Sequence, residues 1–201
     1  MPSHTISLLS PSGRVKLIPP TKNDDEAVSI IRSHPVTRFY LRFFPEIFTV
    51  EDARERRETR AEDSKLIDFH IHAIMDDERF HFSGTTGIFN IDLANETCEA
   101  GILVSPDTHG KGIATEALYT LLQYVFEERN FHRVTFETAS DNIGMRKWLE
   151  DTAGARLEAV RKEAWKESEG KYCDVNGYSI LNWEWNSHVK LALEKKFIRA
   201  S

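Results

Sequence analysis

"VSPDTHGKGIATEAL", residues 104–118, sets two glycines between a strand-like run and the first apolar positions of a helix. Behind it, "ETCEAGILV" (96–104) alternates as a strand does. Ahead of it, Ile113, Ala117, Leu121 and Val125 recur at helical spacing up to Arg129, flanked by Ala114, Leu118, Leu122 and Phe126. "RVTFETA" (133–139) then returns to strand period. Strand, helix and strand form a βαβ unit, whose two strands should lie parallel in one sheet. Gly110 and Gly112 stand where the chain leaves the first strand for the helix. That helix end offers unpaired N–H groups and a positive dipole end, and glycines ahead of it let an anion approach the backbone. A tight turn needing positive φ at Gly110 is the other reading of the same residues. "GKGIAT" lacks the spacing of a nucleoside-triphosphate loop and the third glycine of a dinucleotide fingerprint.

Upstream, "DFHIHAIM" (68–75) and "RFHFSGTTGIFNI" (79–91) flank the turn "DDER", and "LANE" leads on to the strand at 96–104. Such short connections make antiparallel neighbours. "RVKLIPP" (14–20) reads as a short strand stopped by Pro19 and Pro20, and Thr21 or Asn23 can cap a helix running to about Arg32. Pro35 forbids its continuation. "TRFYLRFFPEIF" (37–48) is aromatic and irregular. Thr49 with Asp52 resembles a capping signal for "EDARERRETRAED" (51–63), whose alternating charges predict a salt-bridged, solvent-facing helix. Downstream, a helix from about Asn142 to Asp151 precedes a last hairpin, "RLEAVRKEAW" and "KYCDVNGYSILNW", around "KESEG". The tail from Ser187 puts Val189, Leu193 and Phe197 on one face, which should pack on the domain. The expected fold is α+β: a mixed, mostly antiparallel sheet with flanking helices and a central βαβ unit, in one domain over residues 1–201.

With 201 residues, 40% hydrophobic and 29% charged, the composition is that of an ordinary globular domain. A formal charge of −6 argues against a general nucleic-acid binder and is compatible with a cationic or neutral small partner. No apolar run reaches the roughly 18–20 residues of a membrane span, and Met1–Ser10 carries no secretory pattern. Cys98 and Cys173 have no metal-type spacing and read as reduced thiols, so a cytoplasmic location is expected.

"CEAGILVSPDTHGKGIATEAL" resembles the acetyl-coenzyme A signature of the GNAT N-acetyltransferase superfamily, Q/R-x-x-G-x-G/A. His109, Gly110, Lys111, Gly112, Ile113 and Ala114 fill its six places, with His109 where the family has Gln or Arg. "VKLIPPTKNDD", "CEAGILV" and "KYCDVNGYSIL" are similar to the RimJ/RimL-like branch. "DNIGMRKWLEDTAGARLEAVRKEAW" resembles that branch's N-x-x-S segment, with Met145 in place of the Ser. The resemblance implies acetyl-CoA as cosubstrate, its pyrophosphate on the Gly110–Ala114 amides, with His109 and Lys111 in the contact set, and its pantetheine arm along Ile102, Leu103 and Val104. Ala114, Thr115, Asn142 and Arg146 complete the expected cofactor set. It implies an amine acceptor, either a small molecule such as a polyamine or a protein N-terminus, in a monomer or homodimer. A non-catalytic acyl-CoA binding module of the same fold is the alternative.

Glu99 lies at the family's strand glutamate and is the candidate base. A lysine-like amine sits about 3.4 pKa units above neutrality, so removing its proton costs roughly 4.6 kcal/mol. The tyrosine that many members use as general acid is replaced by Leu149, leaving Tyr172 and Tyr178 as substitutes. His70, His72 and His81 suggest a metal only superficially, since no carboxylate or cysteine completes a set; no metal is expected. Phe39, Tyr40 and Phe43, with His72, are the candidate acceptor contacts.

Overall fold

A computed structural model describes residues 4–167 and 170–198, without the side chains of Phe197 and Ile198. Its eight strands are β1 (Leu8–Leu9), β2 (Val15–Ile18), β3 (Ile67–Ile74), β4 (Phe80–Asp92), β5 (Thr97–Val104), β6 (Arg133–Ala139), β7 (Arg156–Lys166) and β8 (Tyr172–Leu181). They form one sheet in the order β1-β2-β3-β4-β5-β6-β8-β7. Every neighbouring pair is antiparallel except β5 with β6, as the βαβ reading requires. That parallel ladder ends at Glu99↔Thr135, although β5 runs on to Val104 and β6 to Ala139. The sheet therefore splits beyond Glu99.

The helices are α1 (Asp25–Ser33), α2 (Pro35–Tyr40), α3 (Val50–Ala61), α4 (Ile113–Gln123), α5 (Ile143–Lys147), α6 (Asn182–Glu184) and α7 (Lys190–Ile198). Wider π-type turns extend α4 over Tyr124–Glu128 and α5 over Trp148–Thr152, and join α6 to α7. The apolar stripe of α4 is buried on one face of the sheet, against Val15, Leu17, Phe69 and Ile71. On β3 the residues between those, Asp68 and His70, point to the opposite face, where α1 and α3 pack on one another. Val189 and Leu193 are buried, and Trp185 stacks on Phe126 at 5.6 Å, so the tail packs on the domain as expected. The Phe197 side chain and Ser168–Glu169 of the last turn lie outside the described residues.

Three local features differ from the expectation. Pro35 does more than end α1: it starts α2, where its missing N–H costs nothing, and His34 Nδ1 accepts from Val36 N–H to cap that helix. Part of the "irregular" aromatic stretch is thus helical. The two-residue β1 is an added edge strand, too short to read from periodicity. The capping box of α3 is complete, with Thr49 and Asp52 bonding reciprocally, but that helix is not wholly solvent-facing. Arg57 and Arg60 reach inward, to Asp25 of α1 and Asp68 of β3.

Candidate active site

The split between β5 and β6 opens into a cavity of about 1110 Å³ that runs beneath α1, α2 and α3 to the start of α4. Ser105 N–H donates to Ser83 O, so by alternation Ile102 and Val104 turn their N–H and C=O groups toward the cleft, away from β4. His109 Nε2 lies 3.2 Å from the Val104 carbonyl, which places this residue at the rim of that edge. At the end of the cleft, Gly110 and Gly112 adopt φ of 76° and 79°, the left-handed region that favours glycine. The tight-turn reading therefore holds at both positions. It does not compete with the anion reading, because both glycines also line the cavity.

The first hydrogen bond of α4 runs from Glu116 N–H to Gly112 O, and no side chain caps the helix. The amides of residues 113–115 precede the ladder and point toward the turn. A clasp around the buried Glu116 holds this turn: Arg14 donates to Glu116 and, at 3.1 Å, to Lys111 O, while Ser10 and Ser12 donate to Glu116 Oε2 at 3.2 and 2.5 Å. Nothing in the sequence pairs these residues, which lie about a hundred positions apart.

Glu99 is the last residue of the parallel ladder and lines the cavity. Burial pushes its carboxyl above the usual carboxylate range and nearby Glu137 adds to the shift; Asn90 and Arg161 oppose it. Asn90 sits at an irregularity in β4 with φ of 52°, which aims its Nδ2 at Glu99 Oε2, 2.9 Å away. Cys98, one residue back, faces the core, and burial pushes its thiol up to about 12. Leu149 is fully buried. Tyr178 is buried too, its hydroxyl donating to Glu150 at 2.5 Å, and Tyr172 is exposed; neither lines the cavity.

The cavity brings together Glu99, Ile102, Leu103, Val104, His109, Gly110, Gly112, Ile113, Ala114, Thr115 and Asn142 of the expected set, with Tyr40 and Phe43. Asn142 caps α5 by accepting from Met145 N–H, and Trp148 Nε1 donates to Thr115 Oγ1 at 3.1 Å, joining α5 to α4. Four expected residues fall outside the lining. Lys111 contributes its backbone carbonyl to Arg14 and leaves its side chain exposed. Arg146 folds back on the Ser140 carbonyl at 2.8 Å. Phe39 is 61% exposed on the outer side of α2, where it packs on Tyr40. His72 is drawn to Asp24, and a bulge between Ile71 and His72 separates its pairing from that of His70.

Asp24 takes both histidines, His70 Nδ1 at 2.7 Å and His72 Nε2 at 3.1 Å. Burial, the largest single influence, raises its carboxyl, but the hydrogen bonds and charges of the two histidines together outweigh it and hold the carboxyl well below the usual range. His70 is the histidine on the cavity wall, and His81 pairs with Asp77 instead of crossing the hairpin. Among the described residues no group of three or more His, Cys, Asp or Glu side chains is arranged so that it could hold a metal ion. Arg42, between Tyr40 and Phe43, pairs with Asp141 and Glu167 and ties the aromatic segment to the segments on either side of it. What the sequence does not suggest is a cluster of arginines in the lining, where Arg32, Arg56, Arg57 and Arg60 all face the cavity.

The Acetyltransferase (GNAT) domain matches residues 14–153. An uncharacterised N-acetyltransferase of Bacillus subtilis (strain 168), YnaD, is 30% identical over 99 residues, which are 49% of this chain and 57% of that protein. The chain thus spans little more than half the length of this curated relative. Among solved structures, RimJ of Mycobacterium smegmatis in complex with CoA-disulfide has a TM-score of 0.79 at 23% identity, covering 98% of this chain and 97% of that one. Spermidine N-acetyltransferase of Vibrio cholerae in complex with CoA and spermine has a TM-score of 0.75 at 19% identity, covering 87% and 99%. At such identities the likeness establishes the fold alone. The matched stretch takes in the meander, Glu99, the split strands, the glycine turn and α4, and the chain belongs to the GNAT acetyltransferase family.

Proposed function

We propose that this protein moves an acetyl group from acetyl-CoA to an amine by direct attack within a ternary complex. The observation that carries the reading is the divergence of β5 and β6 immediately beyond Glu99. It leaves a strand edge running from a carboxylate to the uncapped amides of a helix. These residues fit the cofactor: two positive-φ glycines leave the turn bare for a pyrophosphate, and the free edge at Ile102 and Val104 suits an amide-bearing arm. Acetyl-CoA supplies the thioester carbonyl that the amine nitrogen attacks, after which the carbon–sulfur bond breaks. Glu99 takes the amine proton, helped by burial that raises its basicity above that of a free carboxylate.

A covalent acyl-enzyme on Cys98 is disfavoured, since a buried thiol titrating near 12 is a poor nucleophile at neutral pH. With Leu149 in the core and the Tyr178 hydroxyl committed to Glu150, the thiolate leaves without a side-chain acid. That loss is tolerable, because a thiol pKa of ~8.5 is only roughly 2 kcal/mol from balance at neutral pH. The same missing acid favours the second reading, a non-catalytic acyl-CoA binding module.

Free-thiol release from acetyl-CoA across an amine panel, beside calorimetry of coenzyme A binding, tests both. Acetyl transfer requires amine-dependent thiol; binding without thiol release with any amine supports the module. Gly112→Val forces a branched residue into a positive φ and puts a side chain in the turn, so coenzyme A affinity should fall by about 2 kcal/mol or more. Unchanged affinity in the folded variant removes the cofactor from this turn.

A further inference from the structure

We infer that the acceptor is an amine carrying a carboxylate or phosphate roughly two strand spacings from the reacting nitrogen, and that Arg32 and Arg56 hold this anion at the α1–α3 end of the cavity. The inference rests on the acetyl-transfer reading and narrows its acceptor.

Four guanidinium groups meet on that wall: Arg32 from α1, and Arg56, Arg57 and Arg60 from α3. Among the described residues three carboxylates answer them, all on Arg57 and Arg60, and the exposed Glu58 only at 3.6 Å from Arg57. Asp25 takes Arg57 through two hydrogen bonds of 2.9 Å, and Asp68 takes Arg60 through a similar fork. Those pairs account for holding α3 to α1 and to β3. Among the described residues Arg32 and Arg56 have no carboxylate within ion-pair distance, and Asp68, the carboxylate whose charge favours both, is already held by Arg60.

Arg32 is built in, not trailing. Its guanidinium lies 3.9 Å from the Phe44 ring centre and 4.8 Å from that of Phe48, and its Nε is buried without a hydrogen-bond partner. Burial and the like charges of Arg56 and Arg60 bring its pKa down to about 9, so the folded chain bears a cost to keep it there. Arg56 is lowered by burial and by the like charge of Arg60, although the residue is exposed to solvent. A helix–helix contact does not need two such groups, and two aligned forks are the usual means of gripping a planar or tetrahedral oxyanion. The position is also surprising for a protein with a net charge of −6.

The floor between this wall and Glu99 carries no side chain at Gly87 or Gly101, and the Phe89 ring lies against Gly101 beside it. Asp68 registers with Gly87 and Gly87 with Gly101, two residues from Glu99 on the same face. A Cβ on Gly87 would lie 2.5 Å from the Ile67 carbonyl, so no side chain can stand there. Two strand spacings and the two-residue step along β5 from Gly101 to Glu99 make roughly 12 Å, the reach, side chain included, of an extended acceptor whose amine is at Glu99. A peptide with an acidic side chain at its second or third residue spans that length at ~3.3–3.6 Å per residue, as does a long ω-amino carboxylate. A polyamine would bring a second cation to an already positive wall. The phosphates of the cofactor belong to the other end of the cavity, at Gly110 and Gly112.

The test pairs equilibrium binding with turnover. Ala-Ala-Asp amide is compared with Ala-Ala-Asn amide, 8-aminooctanoate with octylamine, and spermidine is added as the cationic arm. Binding is measured in the presence of coenzyme A, turnover by thiol release. The acidic member of at least one pair should bind about tenfold tighter, and which pair shows it identifies a peptide or a small-molecule source. Arg56→Gln and Arg32→Gln should each erase that preference and leave the acetyl-CoA KM unchanged, while Arg56→Lys should restore part of it. Equal binding within both pairs, spermidine binding best, or a preference that survives both substitutions overturns the inference. So does a rise in acetyl-CoA KM, which would give the arginines to the cofactor. Absent thiol release with every acceptor refutes acetyl transfer instead, and the binding comparison still decides the anion site.

Discussion

Replacing Glu99 by Gln tests the proton acceptor with little disturbance of the fold. The substitution keeps size and shape, and a Gln carbonyl can still accept from Asn90 Nδ2, which sits 2.9 Å from the carboxylate. Removing a charge that burial and Glu137 both disfavour should leave the melting temperature unchanged or raise it. The sign follows from linkage: the folded chain holds this proton to a higher pH than the unfolded chain. Glu99 therefore takes stability away as pH rises from the ordinary carboxylate value through its raised one, and Gln removes that loss. Catalysis should move the other way. For a lysine-like acceptor the base meets a deprotonation cost of roughly 4.6 kcal/mol at neutral pH. Loss of a general base usually removes about 10²-fold or more, and about 10²-fold in kcat is expected here. The assay is thiol release by both proteins from about pH 6 to 10, with the acceptor near saturation. The deficit should shrink toward high pH, where solvent supplies neutral amine. A variant as active as the parent at neutral pH, or a deficit that is constant across the range, refutes the role.

Tyr40→Ala should raise the acceptor KM several-fold and leave the acetyl-CoA KM and melting temperature nearly constant, because Tyr40 lines the cavity while remaining 36% exposed; a large stability loss without a selective KM effect would make it a packing residue. Asp24→Asn should destabilise the fold by about 1–3 kcal/mol, since it weakens both histidine contacts in a buried place. The carboxyl of Asp24 titrates below its unfolded value, so its contribution is complete above that value and is lost as pH falls through the folded one. Urea midpoints of parent and variant should accordingly differ by a constant amount above about pH 5 and converge in stronger acid; a difference that grows on acidification contradicts the assignment.

The elements that carried strong periodicity were legible from sequence. β6 has the bounds read for it, α4 starts after Gly112, the capping box of α3 is complete, and Asn142 caps α5. What was not legible depends on partners distant in the chain. Charges along α3 satisfy the local i,i+3 rule for Arg54 and Glu51, yet Arg57 and Arg60 pair with Asp25 and Asp68. Spacing alone cannot tell these two kinds of arginine apart. His70 and His72 alternate onto one face as expected, but only the packing of α1 makes Asp24 their shared acceptor and leaves His70 on the cavity wall. Of the three aromatics expected at the acceptor, Tyr40 and Phe43 line the cavity and Phe39 is exposed, an arrangement set by the short α2, which begins at a proline read only as a stop.

The split in the sheet makes stability a property of solution composition as well as of the chain. From Ala100 onward β5 has one unpaired edge inside the protein, and a ligand that hydrogen-bonds there acts as a ninth strand of foreign chemistry. Such a ligand binds the folded state alone, so it stabilises by mass action, by about 2.7 kcal/mol at a hundred times its dissociation constant. The melting temperature should therefore climb with the logarithm of coenzyme A concentration. Lifetime against proteases and aggregation should follow the same curve, linking the abundance of the protein to the supply of its own cosubstrate.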